Sequence, residues 1–134
     1  MPQKVYPLVY GQQKQQFARS VVVGDLVFLS GSSGRTMETG DTDSDDIVAQ
    51  MTVALDKIRA ALAEAGTTME HIVKTVIYLK RLEDYQLMRQ TEREYWEKHA
   101  PALVEEPPAS TFLQPQSLAR PDMLVEIDVI ATMP

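Results

Sequence analysis

The chain has 134 residues, of which 44% are hydrophobic and 24% charged, a balance typical of one soluble globular domain. Its formal net charge of −6 disfavours binding to nucleic-acid phosphates, and no run of Lys and Arg offers a basic patch. The absence of cysteine excludes disulfides, thiolate nucleophiles and cysteine-ligated zinc. No apolar stretch approaches the roughly 20 residues of a membrane span. We therefore expect a cytoplasmic protein with one domain over residues 1–134 and with neither nucleic acid nor membrane as a partner.

The first part of the chain predicts an arm followed by a hairpin. Residues 1–16 contain prolines, a glycine and a glutamine cluster without periodicity, which predicts an irregular N-terminal arm. Segment 17–31, FARSVVVGDLVFLSG, has two β-rich runs around Gly24 and Asp25, a pattern typical of a β-hairpin. A polar, glycine-containing loop is expected over 32–43.

Segment 44–66 carries the strongest local pattern and predicts an amphipathic helix. Asp43 or Ser44 can cap its start, and Gly66 suits the left-handed residue that ends it. One apolar stripe contains Ile47, Met51, Ala54, Leu55, Ile58 and Leu62.

The remaining elements are a strand, a helix and two further strands. Segment 71–79 is β-branched throughout and predicts a strand, and 82–100 predicts a second helix that Pro101 ends. Tyr85, Met88, Tyr95 and Trp96 can form the buried face of that helix, which Glu92 interrupts. After a proline-rich connector over 101–109, strands are expected over 110–116 and 123–132. Pro115 suggests an edge, an end or a bulge in the first of them.

The order β-β-α-β-α-β-β predicts an α+β fold, with two helices on one face of a mixed sheet. In the last strand, Val125, Ile127, Val129 and Ala131 would face the helices. Glu126 and Asp128 would point to the other face with Leu124 and Ile130. A face that mixes acids with large apolar residues is often covered by other subunits.

Few residues offer chemistry on their own. His71 and His99 lack a partner at ligand spacing, so we expect surface or structural roles and no metal site. SGSSG, at 30–34, is either a plain turn or a backbone nest for a small anion. Glu126 is either a solvated acid or, if subunit packing buries it, a proton-transferring group with a raised pKa. Alternation does not rank Glu126 above Asp128.

Four stretches together make the chain resemble the RidA family, also called YjgF or L-PSP. They are VGDLVFLSG (23–31), AQMTVALDKIRAALAEAGTTMEHIVKTVIYL (49–79), LEDYQLMRQTEREYW (82–96) and ARPDMLVEIDVIA (119–131). The resemblance implies a fold like that of the bacillary chorismate mutase. It also implies a homotrimer whose sheets close a central barrel, with small-molecule clefts between subunits. The family chemistry that it implies is cofactor-free hydrolysis of reactive enamines and imines to 2-oxo acids and ammonia.

The resemblance also implies a set of site residues. Glu126 stands where the family has its last-strand glutamate, which positions water or relays a proton. Ser30, Gly31 and Ser32 stand at the family's Ser-Gly turn. Phe17 stands at the family's aromatic position, where the deaminases usually have tyrosine, and lacks the hydroxyl. Arg89 stands where the family commonly has asparagine, and Ser110 stands where it has the arginine that binds the substrate carboxylate.

The exchange at position 110 leaves more than one function open. A divergent hydrolase or deaminase would use Glu126 on water, with the turn and Ser110 bonding the ligand. A non-catalytic trimeric module that binds a small metabolite or a protein is the alternative, because Ser110 cannot form a bidentate carboxylate clamp. The older ribonuclease designation is disfavoured by the net charge and by the lack of a plausible histidine pair.

Overall fold

The computed structural model describes residues 2–134, which form one seven-stranded mixed sheet, a small separate hairpin and three helices. The strands are β1 Gln3–Val5, β2 Val9–Tyr10, β3 Gln13–Lys14, β4 Ser20–Val23, β5 Leu26–Leu29, β6 Ser32–Ser33, β7 Ile72–Leu79, β8 Ala109–Leu113 and β9 Val125–Thr132. The helices are α1 Ile47–Ala65, α2 Tyr85–His99 and α3 Ala102–Glu105. None of the helices in this described part is long and apolar enough to cross a bilayer.

The last strand, β9, lies in the middle of the sheet. The strand order is β1-β4-β5-β9-β7-β8, and β6 also pairs with β9. All pairs are antiparallel except β7 and β8, which are joined through α2 as parallel strands require. The predicted hairpin is present as β4 and β5, where Val23 pairs with Leu26 around Gly24 at φ 57°. Strand β8 lies at the sheet edge, in agreement with the Pro115 that follows it.

Helix α1 matches the predicted amphipathic segment, but its cap differs from the expectation. Asp46 is the capping residue, and its carboxylate accepts from the Ala49 N–H at 3.1 Å. Neither Asp43 nor Ser44 caps the helix, and the Ser44 hydroxyl accepts instead from the N–H of Asp46 itself. Gly66 ends the helix at φ 100°, as predicted, in the left-handed region.

Helix α2 begins later than predicted, because residues Leu82–Asp84 form a 3-10 turn. Met88, Tyr95 and Trp96 are buried as expected, whereas Tyr85 is half-buried and packs against Phe112. The polar interruption of this face, Glu92, is only 5% exposed and is paired with Arg89 at 3.1 Å. Burial raises the pKa of Glu92, and Arg89 partly offsets that rise.

The N-terminal arm is more regular than predicted. Strand β1 pairs with β4 and extends the main sheet, and β2 and β3 form a separate hairpin. Gly11, at φ 61°, turns this hairpin, and Leu8 and Tyr10 are buried. These strands of two or three residues are too short to show periodicity, so the sequence reads as irregular although its backbone is paired.

The two faces of β9 differ as the alternation predicts. Val125, Ile127, Val129 and Ala131 are at most 2% exposed and join the core beneath the helices. Glu126 and Asp128 are half-buried on the opposite face. Leu124 departs from the prediction, because it precedes the strand and lies in the core at 1% exposure.

Gln50 ties α1 to the segment that enters β9. Its amide nitrogen donates to the Ser44 carbonyl at 2.7 Å and to the Asp122 carbonyl at 2.9 Å. Its amide oxygen accepts from the Leu124 N–H at 2.9 Å. The side chain is 1% exposed, so no water can replace these partners.

We predict that Gln50→Leu, which keeps the volume and removes all three hydrogen bonds, lowers the free energy of unfolding by about 2–4 kcal/mol. The matched control is Gln90→Leu, at an exposed position of α2, which should change it by less than about 0.5 kcal/mol. Urea unfolding at one fixed protomer concentration measures both. Equal stability of the two variants would contradict the role assigned to Gln50.

Candidate active site

A β-bulge lies between β5 and β6 where they share β9 as a partner. Phe28 pairs with Ile130 and Ser32 pairs with Ile127, so three residues on one strand face two on the other. Such an extra residue bends the strand and redirects its neighbours. The bulge contains Leu29, Ser30 and Gly31, which includes two of the three turn residues expected in the pocket.

The serine hydroxyls of the turn are bonded to backbone carbonyls. Ser30 Oγ donates to the Ala18 carbonyl at 2.5 Å, and Ser32 Oγ donates to the Ala54 carbonyl of α1 at 2.8 Å. The first bond fixes the turn against the chain before β4, and the second fixes it against α1. Both hydroxyl protons are therefore used in hydrogen bonds within the chain, and the two serines hold the turn in place.

Gly31 lies directly beneath the two acids of β9. A Cβ at this position would lie 2.7 Å from Glu126 Oε1 and 3.2 Å from Asp128 Oδ1. The carboxylates occupy the space that any other side chain would need. The glycine thus allows a close approach between the turn backbone and Glu126.

Glu126 and Asp128 differ in their partners, which the sequence could not reveal. Asp128 accepts a hydrogen bond from the Tyr78 hydroxyl at 3.0 Å. Within residues 2–134, Glu126 has no hydrogen-bond or ion-pair partner, although Lys57 is near enough to lower its pKa slightly. Burial is the main cause that raises the pKa of Glu126, and the charge of Asp128 adds to it. Of the two acids, Glu126 is therefore the one whose carboxylate has no hydrogen-bond partner within residues 2–134.

An open groove of ≈ 350 Å³ on the outer face of the sheet is bordered by Asp128, one of these two acids. Phe28, Lys74, Asp128 and Ile130 contribute to its walls together with the turn. Phe28 is 39% exposed and Leu26 40% exposed on the same strand. Large exposed apolar side chains clustered on one face are typical of an interaction surface or a ligand-binding groove.

Ser110 and Arg89 lie together, but on the other side of the sheet. Ser110 Oγ accepts from Thr75 Oγ1 at 3.0 Å and from the guanidinium nitrogen Nη2 of Arg89 at 3.2 Å. Thr75 pairs with Val129, whose side chain faces the core beneath the helices. In one chain, these two candidates are therefore separated from Glu126 by the sheet itself.

Phe17, the remaining candidate, is 49% exposed immediately before the Ala18 carbonyl that holds Ser30. It therefore adjoins the turn without being part of the core. The histidines have no role in this region: His71 bonds to Thr68 and His99 packs on Tyr95. Among residues 2–134, no group of three His, Asp or Glu side chains is arranged to hold a metal ion.

A second cavity, of ≈ 40 Å³, lies behind the turn and was not predicted. Its walls include Tyr10 and Arg19, the turn, and Lys57 of α1. Burial, with a smaller contribution from Arg35, lowers the pKa of Lys57 to about 7. From the sequence Lys57 would be a solvated helix residue, because its burial depends in part on Leu8 and Tyr10 of the arm, whose fold the sequence did not show.

Comparison with known proteins extends these observations. The family model described as Endoribonuclease L-PSP matches residues 12–133. A RutC family protein of Pyrococcus abyssi is 30% identical over 115 residues, covering 86% of this chain and 84% of its own. A 2-iminobutanoate/2-iminopropanoate deaminase of Escherichia coli K12 is 27% identical, with coverage of 86% and 85%.

Solved structures share the whole fold. The Rid family protein YyfA of Yersinia pestis, itself of unknown function, superposes with a TM-score of 0.85 at 24% identity, covering 99% of this chain and all of its own. The YjgF gene product of E. coli gives 0.83 at 25% identity, with 97% coverage of both chains. The chorismate mutase-like α+β fold that the resemblance implied is confirmed. From the family match over residues 12–133 and these relatives, we conclude that the chain belongs to the RidA/YjgF, or L-PSP, family.

Proposed function

We propose that the protein is a divergent Rid-family hydrolase that deaminates a small imine or enamine. The observation that carries the proposal is Glu126, a half-buried carboxylate without a hydrogen-bond partner in residues 2–134, in contact with the Gly31 turn. A deaminase among the relatives that match most of the chain supports the reaction class. Other relatives bear only the RutC family name, so the chemistry rests on the site.

The reaction needs one group that first accepts and then returns a proton. Glu126 takes a proton from water as the water oxygen attacks the carbon of the protonated imine, which forms a neutral carbinolamine. The protonated acid then gives this proton to the carbinolamine nitrogen, the C–N bond breaks to release ammonia, and the carbinol hydroxyl passes its proton to that ammonia, which leaves a 2-oxo acid or ketone and ammonium. A carboxyl pKa raised toward neutrality suits both steps, because the group must exchange a proton near its working pH.

We further propose a homotrimer in which the outer-face groove, bordered by Asp128 and by the Gly31 turn that contacts Glu126, becomes a cleft between subunits. Edge strand β8 carries Ser110 to the boundary of the sheet, where a neighbouring copy would meet it. This arrangement would bring Ser110 and Arg89 of one copy toward Glu126 of another. It would also cover Phe28 and the other apolar side chains of the outer face.

The position of Ser110 favours one alternative, a non-catalytic module that binds a small metabolite or a protein. Its hydroxyl already accepts two hydrogen bonds, and the nearest guanidinium, on Arg89, is paired with the buried Glu92. No bidentate clamp for a carboxylate is thus supplied at this point. Ligand-dependent thermal stabilisation without turnover of any imine tested would favour this alternative.

We predict that the protein sediments as a trimer and that Ile130→Glu shifts it to smaller species, because a charge would be buried at the subunit boundary. The control is Leu82→Glu, which is 56% exposed away from the outer sheet face and should remain trimeric. Sedimentation velocity of the three proteins measures this. A monomeric wild-type protein would remove the walls of the proposed cleft.

We predict that Glu126→Gln lowers kcat/KM for 2-oxo acid release from 2-aminoacrylate by about a hundredfold or more, since the amide cannot accept a proton. Asp128→Asn, which keeps the shape of the neighbouring acid, should lower it by less than about tenfold. Equal rates for wild type and Glu126→Gln would exclude Glu126 from the mechanism.

We also predict a linked shift in the pH profile. Activity requires ionised Glu126, so kcat/KM should fall as the pH drops through its raised pKa. Asp128 is one cause of that rise, and Asp128→Asn removes its charge. The pKa of Glu126 should then fall and the acid limb of kcat/KM should move to lower pH. An acid limb that stays in place would show that another group controls it.

A further inference from the structure

The cavity behind the turn contains an amine in an unusual setting. Lys57 Nζ donates to the Tyr10 hydroxyl at 3.0 Å and lies 4.8 Å from the centroid of its ring. Within residues 2–134, it has no carboxylate partner at ion-pair distance. A half-buried ammonium with one neutral partner is poorly stabilised, and a methionine would fill the same space at lower cost.

The surroundings of Lys57 favour its neutral form. Apolar Leu8, Leu29, Met37 and Ile58 line the cavity. The guanidinium carbon of Arg35 lies 4.2 Å from the centroid of the Tyr10 ring. Its Nε donates to the Gly40 carbonyl at 2.7 Å. Desolvation and a neighbouring cation are the two conditions that make a lysine amine nucleophilic.

The nearby carboxylates do not cancel the lowering of the Lys57 pKa. Glu126 of β9 raises the pKa of Lys57, but its contribution is smaller than those of burial and Arg35. Arg19, which also lines the cavity, is paired with Glu64 at 2.5 Å. The result is a pKa of about 7, which leaves a large neutral fraction at neutral pH.

We propose that Lys57 is a reactive amine that forms a reversible Schiff base with a small 2-oxo acid. The ≈ 40 Å³ cavity has room for about three water-sized positions, which limits the ligand to a few heavy atoms. Arg35, which stacks on the Tyr10 ring, supplies positive charge for the carboxylate of such a ligand, whereas the charge of Arg19 is offset by Glu64. The turn with Leu29, Ser30 and Gly31 lines both this cavity and the outer-face groove, and the amine chemistry of Lys57 does not depend on the proposed deaminase activity.

The chemistry balances without any further reactant. The neutral amine adds to the carbonyl carbon, and a proton moves from nitrogen to oxygen to give a carbinolamine. Loss of that hydroxyl with the remaining N–H proton releases one water and forms the C=N bond. The Tyr10 hydroxyl, hydrogen-bonded to the amine, can pass the proton between nitrogen and the departing oxygen.

The test is borohydride trapping with glyoxylate, the smallest 2-oxo acid, at pH 7. Reduction of the Schiff base leaves a carboxymethyl group on the reacting lysine, which peptide mapping by mass spectrometry locates. We expect Lys57 to be labelled at least about tenfold more than any exposed lysine, because those are almost fully protonated at this pH. Uniform labelling of the lysines in the wild-type protein would overturn the proposal.

Two variants provide matched controls. Lys57→Arg removes the primary amine and should lose the adduct. Lys98→Arg, at an exposed position on α2, should retain the adduct. Persistence of the adduct at the same level in Lys57→Arg would refute the assignment. If the wild-type protein formed the adduct at Lys57 but released no 2-oxo acid from 2-aminoacrylate, that result would contradict only the deaminase proposal.

Discussion

The register of β9 is the constraint on which the rest of the structure depends. This strand pairs with β5 and β6 on one side and with β7 on the other, so its alternation is fixed from both flanks. Val125, Ile127 and Val129 fill the core on one face, which requires Glu126 to point to the other. A slip by one residue would place carboxylates under the helices and is strongly disfavoured. Core packing therefore sets the direction of the candidate catalytic acid.

The bulge converts that direction into a site. An unbroken β5 would continue the ladder beside Asp128 and Val129, whereas the extra residue brings the Gly31 backbone against Glu126. The same turn is anchored to α1 through Ser32 and to the chain before β4 through Ser30. Burial of Glu126 is thus a consequence of how three parts of the chain meet, and its raised pKa follows from that burial.

The sequence predicted most of the fold because periodicity there is strong. The stripe of α1, the β-branched run of β7 and the alternation in β9 each identify their element and its buried face. The arm was missed because its strands are too short to have a period, and Leu124 was misplaced because the strand begins one residue later.

Within the candidate site, the sequence could name residues but not their relations. Glu126 and Asp128 are equivalent by alternation, and only the Tyr78 hydroxyl distinguishes them in space. The segregation of Ser110 with Arg89 on the helix side depends on which way an edge strand turns its side chains. Lys57 was overlooked because its burial depends on contacts with Tyr10, 47 positions away.

The short outer strands limit how far other chains can extend the sheet at its two margins. One margin of the sheet ends in β1, with three residues, and the other in β8, with five. Each offers few unpaired amide and carbonyl groups, and Pro115 cannot donate to any strand that tries to extend β8. Indefinite stacking of chains into fibrils through these edges is thereby discouraged.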